Sequence, residues 1–261
     1  MSRSNLRTAA LLIAGATALG ACQTAPAANA GFLSSYDGLE TKEGTLRVSV
    51  RDRRDEALAA VVERLFIEPA QLTAGAADGV EPGDVALVLG EVGRQVCYEL
   101  SERFTVLHEP AADAATARIA VTRITPTGAV GSGLSAVASA FIPGPVGIRP
   151  PGSTGMLAAE AELVTIEGRQ AAALAWARAA NVVGTDSPSL SRVGDALQFA
   201  EVFGDQVGDT FAPADRAVRP IADPDPCAHF GPRDQPGGFI TRFVTGLYVP
   251  ETQGVRPQPA R

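Results

Sequence analysis

Residues 156–179 read MLAAEAELVTIEGRQAAALAWARA. The stretch divides into two runs, 156–166 and 169–179, on either side of Glu167-Gly168, a dipeptide compatible with a tight turn, and it is expected to form a β-hairpin. Leu157, Ala159, Ala161 and Leu163 fall on one face, and Leu174 and Trp176 join them across the hairpin. Glu160 and Glu162 point the other way. The assignment of faces is the same for a loop of two residues or four, because both registers have one parity. Two acids on the outer face of a hairpin are read as surface groups, either exposed or paired with arginine.

The segments around the hairpin have helical and strand periods. Downstream, residues 190–211 place Leu190, Val193, Leu197, Ala200, Val207 and Phe211 on one stripe, and Asp186-Ser187-Pro188 supplies a start signal. Upstream, residues 84–104 repeat Val85, Val88, Leu89, Val92, Val96, Leu100 and Phe104 at three- and four-residue steps. The opposite side of that helix carries Glu91, Arg94, Gln95, Glu99, Glu102 and Arg103, so it is expected to face water. Residues 46–50, 60–67, 105–108 and 116–125 read as strands, with Pro69 ending the second. Strands, a helix, strands with a hairpin and a second helix give an α+β fold: an antiparallel or mixed sheet with two main helices on one face, in a single domain.

The chain begins with a signature of export. Arg3 and Arg7 precede a short apolar run at residues 9–19, which ends in Leu19-Gly20-Ala21-Cys22. That pattern resembles the lipobox of bacterial lipoproteins, in which cleavage leaves the cysteine first and its thiol takes a diacylglycerol. The alternative is a plain signal peptide cut at Ala28-Asn29-Ala30. A lipidated Cys22 carries several acyl chains, and at roughly 0.8 kcal/mol per buried methylene such an anchor is effectively permanent. Gln23 follows the cysteine where an inner-membrane retention signal has Asp, so by resemblance to enterobacterial sorting signals the outer membrane, periplasmic side, is the expected address. The chain is thus divided into a leader (1–21), a lipid-anchored linker and entry segment (22–42), the α+β domain (43–211) and a Pro-rich tail (212–261). In the tail, residues 238–249 hold Phe239, Ile240, Phe243, Val244, Leu247 and Tyr248, too apolar for water, and are expected to add a strand or short helix.

Removing residues 1–21 takes two of 22 basic residues and none of 29 acidic ones, leaving 20 − 29 = −9. Such a balance argues against nucleic acid as a partner, since phosphates need clustered Lys and Arg. Cys97 and Cys227 remain besides Cys22, and an oxidising compartment lets them pair. The other reading has Cys97 as a small buried residue and Cys227 as a free thiol in a loose tail.

With these elements in place, the chain resembles bacterial lipoproteins carrying the domain of unknown function 3313. The match rests on the lipobox, on Gly31-Phe32-Leu33-Ser34-Ser35-Tyr36-Asp37, on the long helix, on the acidic strand at residues 159–162, on the turn at Glu167-Gly168 and on the closing helix near Phe211. It extends over roughly residues 31–211. The resemblance implies an address and a fold, and no activity.

Chemical signatures are sparse. The two histidines are His108 and His229, and there is no His-Glu-x-x-His, Cys-x-x-Cys or Gly-x-Ser-x-Gly. Cys227 and His229 alone fall short of a metal site. Gly131-Ser132-Gly133-Leu134-Ser135-Ala136 imitates a dinucleotide turn, but Pro126 and further residues separate it from the preceding strand and no second βαβ half follows. No catalytic residue, metal or cofactor is expected. The surrounding loop, with Leu134, Val137, Phe141, Ile142, Val146 and Ile148 among Gly and Pro, is a candidate contact for a partner or ligand if it does not cover the core. The expected function is a non-enzymatic accessory or binding module of the cell envelope. A carrier for an apolar ligand is the alternative, with a periplasmic hydrolase third.

Overall fold

The computed structural model describes residues 28–42, 48–128, 154–181, 186–187, 189–233 and 235–258, with the backbone alone at 147–148 and 183–184. In chain order the strands are β1 (Glu40–Thr41), β2 (Val48–Arg54), β3 (Arg64–Ile67), β4 (Gln71–Leu72), β5 (Thr105–Leu107), β6 (Ala115–Thr125), β7 (Gly147–Ile148), β8 (Met156–Val164), β9 (Gln170–Ala179) and β10 (Val183–Gly184). The helices are α1 (Glu56–Ala60), α2 (Pro82–Ser101), α3 (Gly194–Phe211) and α4 (Pro236–Thr245).

The hairpin β8–β9 lies at the centre. An eight-stranded sheet runs β1-β2-β9-β8-β6-β3-β5, with β4 also pairing β6. Pairing is antiparallel from β1 through β6, whereas β3 and β4 join β6 in parallel and β5 joins β3 in parallel. β7 and β10 form a separate antiparallel pair. The sheet is therefore mixed, and the class is α+β.

One sheet face carries Leu157, Ala159, Ala161 and Leu163 with Leu174 and Trp176, all fully buried. α3 lies on this face. Trp176 and Phe203 meet at a tilt with ring centroids 5.5 Å apart, and Phe199, Val207 and Phe211 continue the seam. Each such side chain contributes about 1.5–3 kcal/mol on full burial. α2 packs beside α3, and Gly204 brings the two backbones together: a Cβ there would stand 2.9 Å from the Gln95 carbonyl carbon. Val88, Val92, Val96 and Leu100 of α2 are completely buried.

The other sheet face departs from expectation. Glu160 and Glu162 are 1% and 0% exposed, so the expectation of exposed acids fails for both, while pairing with arginine holds for Glu162. Residues 28–37 lie across them. The Tyr36 hydroxyl accepts the amides of Gly31 at 2.7 Å and Phe32 at 3.0 Å, and donates to Glu160 at 2.6 Å. The Ala30 amide donates to the second Glu160 oxygen at 2.9 Å. Glu162 accepts from the Ser34 amide at 2.8 Å, the Ser34 hydroxyl at 2.9 Å and Gln170 at 2.7 Å, and it pairs with Arg118. Arg118 also covers the Phe32 ring. A buried carboxylate is tolerated when its lone pairs are filled in this way. Burial and the neighbouring Glu160 raise the Tyr36 pKa, so its proton stays where the bond needs it.

Three local expectations are corrected. Residues 60–67 are not one strand, because Asp55 accepts the Leu58 amide at 3.1 Å and caps α1, and β3 starts only at Arg64. α3 begins at Gly194, not near Leu190, which is 60% exposed. There Ser189 Oγ accepts the Ser191 amide and Ser191 Oγ the Val193 amide, so side chains hold a turn in place of the first helical bonds. Part of the outer side of α2 is buried as well: Glu91 and Arg94 are 2% and 5% exposed, paired at 2.6 Å, with Arg94 donating to the Gln253 carbonyl, while Gln95, Glu99, Glu102 and Arg103 are half-buried. The tail covers them. It passes so close that a Cβ on Gly90 would lie 2.1 Å from the Arg256 carbonyl oxygen.

Two outcomes follow. Glu162→Ala is expected to lower unfolding free energy in a denaturant titration by about 2–4 kcal/mol, since one buried acceptor serves several donors. Limited proteolysis should then cut first within residues 28–42. Partial burial at the α2–α3 seam, with Glu99, Glu201 and Asp209 nearby, pushes Asp205 to about 6. The folded protein thus holds this proton more tightly than the unfolded chain, and the associated stability, full below about pH 4, is lost as pH rises through about 6. Asp205→Asn should raise the melting temperature near neutral pH and leave it unchanged in acid.

Candidate functional site

The sheet ends at β5, and β3, β5, α2 and the tail meet around that edge. Cys97, late on α2, is bonded to Cys227, with a Cα separation of 5.9 Å across 130 residues of chain. Arg233 adds a second fastening: it grips both Asp225 oxygens at 2.8 and 2.9 Å, donates to Ser101 Oγ at 2.6 Å and lies 4.3 Å above the Tyr98 ring. The guanidinium holds the Asp225 carboxyl below the usual range, and burial lifts the Tyr98 phenol. The tail is therefore strapped to the domain instead of hanging free.

Between strap and sheet edge lies a cleft of about 380 Å³. Phe66 and Val106 come from β3 and β5, Cys97 from α2, and Phe230 closes the wall from the tail, its ring centroid 4.0 Å from that of His229 with the two rings tilted. Gly93 leaves room for that ring, since a Cβ there would already touch it at 3.4 Å. His108, just beyond β5, and His229 bring their rings to 6.4 Å at the same cleft. Its carboxylate, Glu68, stands 3.8 Å from Arg118, and Gln258 is held by donating to the Ala70 carbonyl at 3.2 Å. Among the described lining residues there is no hydroxyl, and the sulfurs are spent in the disulfide. The arrangement suits an apolar group with polar atoms at one end.

Sequence reasoning offered the pairing of Cys97 with Cys227 as one of two readings, and the disulfide is present, but it did not bring the two histidines together. The signal was present: His229 lies two residues from Cys227, so the bridge to α2 carries it toward the strand that follows α2, just beyond which His108 lies. Phe66 and Phe230 were missed, because their neighbours across the cleft are far away in sequence. Cys227 is in the disulfide and does not ligate. No group of three or more His, Cys, Asp or Glu among the described residues is placed to hold a metal ion. Cys22 and the side chains of Leu134, Val137, Phe141, Ile142, Val146 and Ile148 lie outside the described residues, as does the glycine-rich turn at 131–136. The flanks of that loop are described. Asp195, fully buried at the start of α3, accepts the Gly155 amide at 2.7 Å and the Thr127 hydroxyl at 3.2 Å, and Thr127 Oγ1 accepts the Asp195 amide at 3.1 Å.

The profile of a family described as "Protein of unknown function (DUF3313)" matches residues 28–207. The chain belongs to this family. The matched span opens with the segment that covers Glu160 and Glu162 and ends within α3, so the DUF3313 region includes the sheet, α2 and most of α3 and stops before the strap. No curated protein matches the sequence. Among solved structures, the PelC dodecamer from Paraburkholderia phytofirmans and a variant of it are similar to the chain at 11% and 10% identity. Each match has a TM-score of 0.36 and covers 62% of this chain and 97% of the other. No described helix is long and apolar enough to cross a membrane.

Replacing both Cys97 and Cys227 by Ser is expected to cost about 2–5 kcal/mol. Hydrogen exchange should speed up in residues 213–258 and at β5, while β8 and β9 keep their protection.

Proposed function

We propose that this protein is a lipid-anchored, non-enzymatic binding module of the bacterial cell envelope, tethered through Cys22 to the periplasmic leaflet of the outer membrane. Its cleft beside β5 holds an apolar group, either an acyl chain or the apolar side chains of an envelope partner. The observation that carries the binding part is the lining of the cleft: Phe66, Val106 and Phe230 around an opening marked by His108 and His229. A hydrolase needs a nucleophile near such a histidine pair, and the described lining offers none. What supports the anchor is the lipobox with Gln23 after it, followed by a linker without charge as far as Gly31.

Metabolic labelling with radioactive palmitate tests the anchor. Label should enter the wild-type chain, be absent from Cys22→Ser, and follow the outer-membrane fraction; an unlabelled wild-type chain removes the anchor from the reading. The cleft is tested on the purified chain with an anilinonaphthalene sulfonate probe. Val106→Trp, which fills the cleft from an edge strand, should weaken binding on the order of tenfold. Equal affinity in both proteins would mean that the cleft is not the site.

A further inference from the structure

The sheet ends on β5 with one edge unpaired. β5 joins β3 in parallel, and no other described strand pairs with it. The Thr105 amide donates to the Glu63 carbonyl at 2.9 Å. By the alternation of a parallel ladder, Thr105 and Leu107 therefore turn their main-chain groups toward β3, and Val106 turns its amide and carbonyl outward. No described backbone group beyond the sheet bonds to either. Such an edge is a template for another strand unless something lies on it.

The strap runs past this edge without pairing with it. Its start is held where the Arg219 amide donates to the Glu102 carbonyl at 2.7 Å, and its end where Cys227 is bonded to Cys97. Between these points Pro220, Pro224 and Pro226 have no N–H to offer, and no described backbone bond joins residues 220–227 to residues 105–108. A gap of about 220 Å³ separates the two, with Phe104, Thr105 and Val106 on one side and Pro220, Ala222 and Pro224 on the other. A loop that shielded the edge would lie against it. The gap adjoins the histidine cleft, because Val106, His108 and Pro226 belong to the walls of both.

These positions describe the chain that would fill the gap. The outward groups of Val106 are closed by a single residue of an antiparallel strand, which exchanges both bonds with the residue it faces. The Val106 side chain packs with Tyr98 and the disulfide, on the side where the cleft lies. A residue opposite Val106 sends its side chain the same way, toward Phe66 and Phe230, and its two neighbours point to the other face. Charge selects between a peptide and an anionic lipid. Glu109 and Asp223, both exposed, stand next to the lining residues His108 and Pro224, in a chain with 29 acidic residues against 22 basic. That balance attracts a cationic peptide and repels a carboxylate or phosphate head.

We infer that a partner inserts an extended peptide segment between β5 and the strap, adding an antiparallel strand to the sheet edge, with an apolar residue opposite Val106 and cationic residues on either side of it. This rests on the cleft reading above and narrows its occupant to a peptide. Main-chain bonds to Val106 supply the register, and the cleft supplies the preference for an apolar side chain.

The probe is acetyl-Val-Lys-Phe-Lys-Val-amide, titrated into the purified mature chain. At saturation it should slow hydrogen exchange at the Val106 amide. Methylating the phenylalanine nitrogen deletes one main-chain donor and leaves every side chain in place, and it should weaken binding by about tenfold. Val106→Pro removes the outward amide at a position where an edge strand accepts proline, and it should weaken the unmodified peptide similarly. Should that variant fail to fold, the methylated peptide still decides, since it leaves the protein unchanged. Equal affinity of the two peptides overturns the inference, as does no binding of the unmodified one. Displacement of the anilinonaphthalene sulfonate probe by laurate but not by the peptide also overturns it, and leaves the cleft to an acyl chain. Failure of the cleft reading itself shows elsewhere, in a sulfonate affinity that Val106→Trp does not change.

Discussion

A carboxylate in the middle of a sheet costs several kcal/mol unless every lone pair is filled, and the centre of this protein holds two. Glu160 and Glu162 sit on the strand that pairs with both β6 and β9, so neither can turn to solvent without breaking a ladder. Their partners come from residues 30–36, more than a hundred positions earlier, together with Arg118 and Gln170. The entry segment has no regular structure of its own and depends on the acids for its place, as the acids depend on it for burial. The opposite face of the same strands is conventional, with Trp176 against Phe203 under α3. Thus one hairpin organises two layers by different physics, hydrophobic burial on one side and saturated hydrogen bonding on the other.

This division explains what the sequence made legible. Residues 157–163 and 174–176 announce their inner face because apolar alternation has a strand's period, and the inner stripes of α2 and α3 follow a helix's period. The burial of Glu160 and Glu162 has no such signal: acids alternating with alanine have the pattern of a solvated strand whether or not a distant segment covers them. The same holds for Glu91 and Arg94, whose cover is the backbone of residues 253–258 passing over Gly90. Polar partners chosen by geometry leave no period. Leu190 misled for the converse reason, since it matches the helical stripe while Ser189 and Ser191 use their hydroxyls to hold a turn.

The cleft was half legible. His108 and His229 are the chain's two histidines, and the disulfide brings them into one neighbourhood. The apolar wall was not visible, because Phe66 lies on a short strand and Phe230 in a segment whose composition is that of a disordered tail. A cross-link and the Arg233 clamp supply the order that this composition does not. The family profile ends before the strap begins, so the cleft is built partly from family structure and partly from what this chain adds to it.

Asp195 has a consequence of another kind. By accepting from Gly155 and bonding Thr127, it fastens the two ends of residues 129–153 to one carboxylate at the start of α3. Closing a loop between ends already held together depends only weakly on its length, each doubling adding about 0.6 kcal/mol. The register of β6, β8 and the start of α3 is therefore held from one carboxylate, with little dependence on the length of chain that joins Thr127 to Gly155.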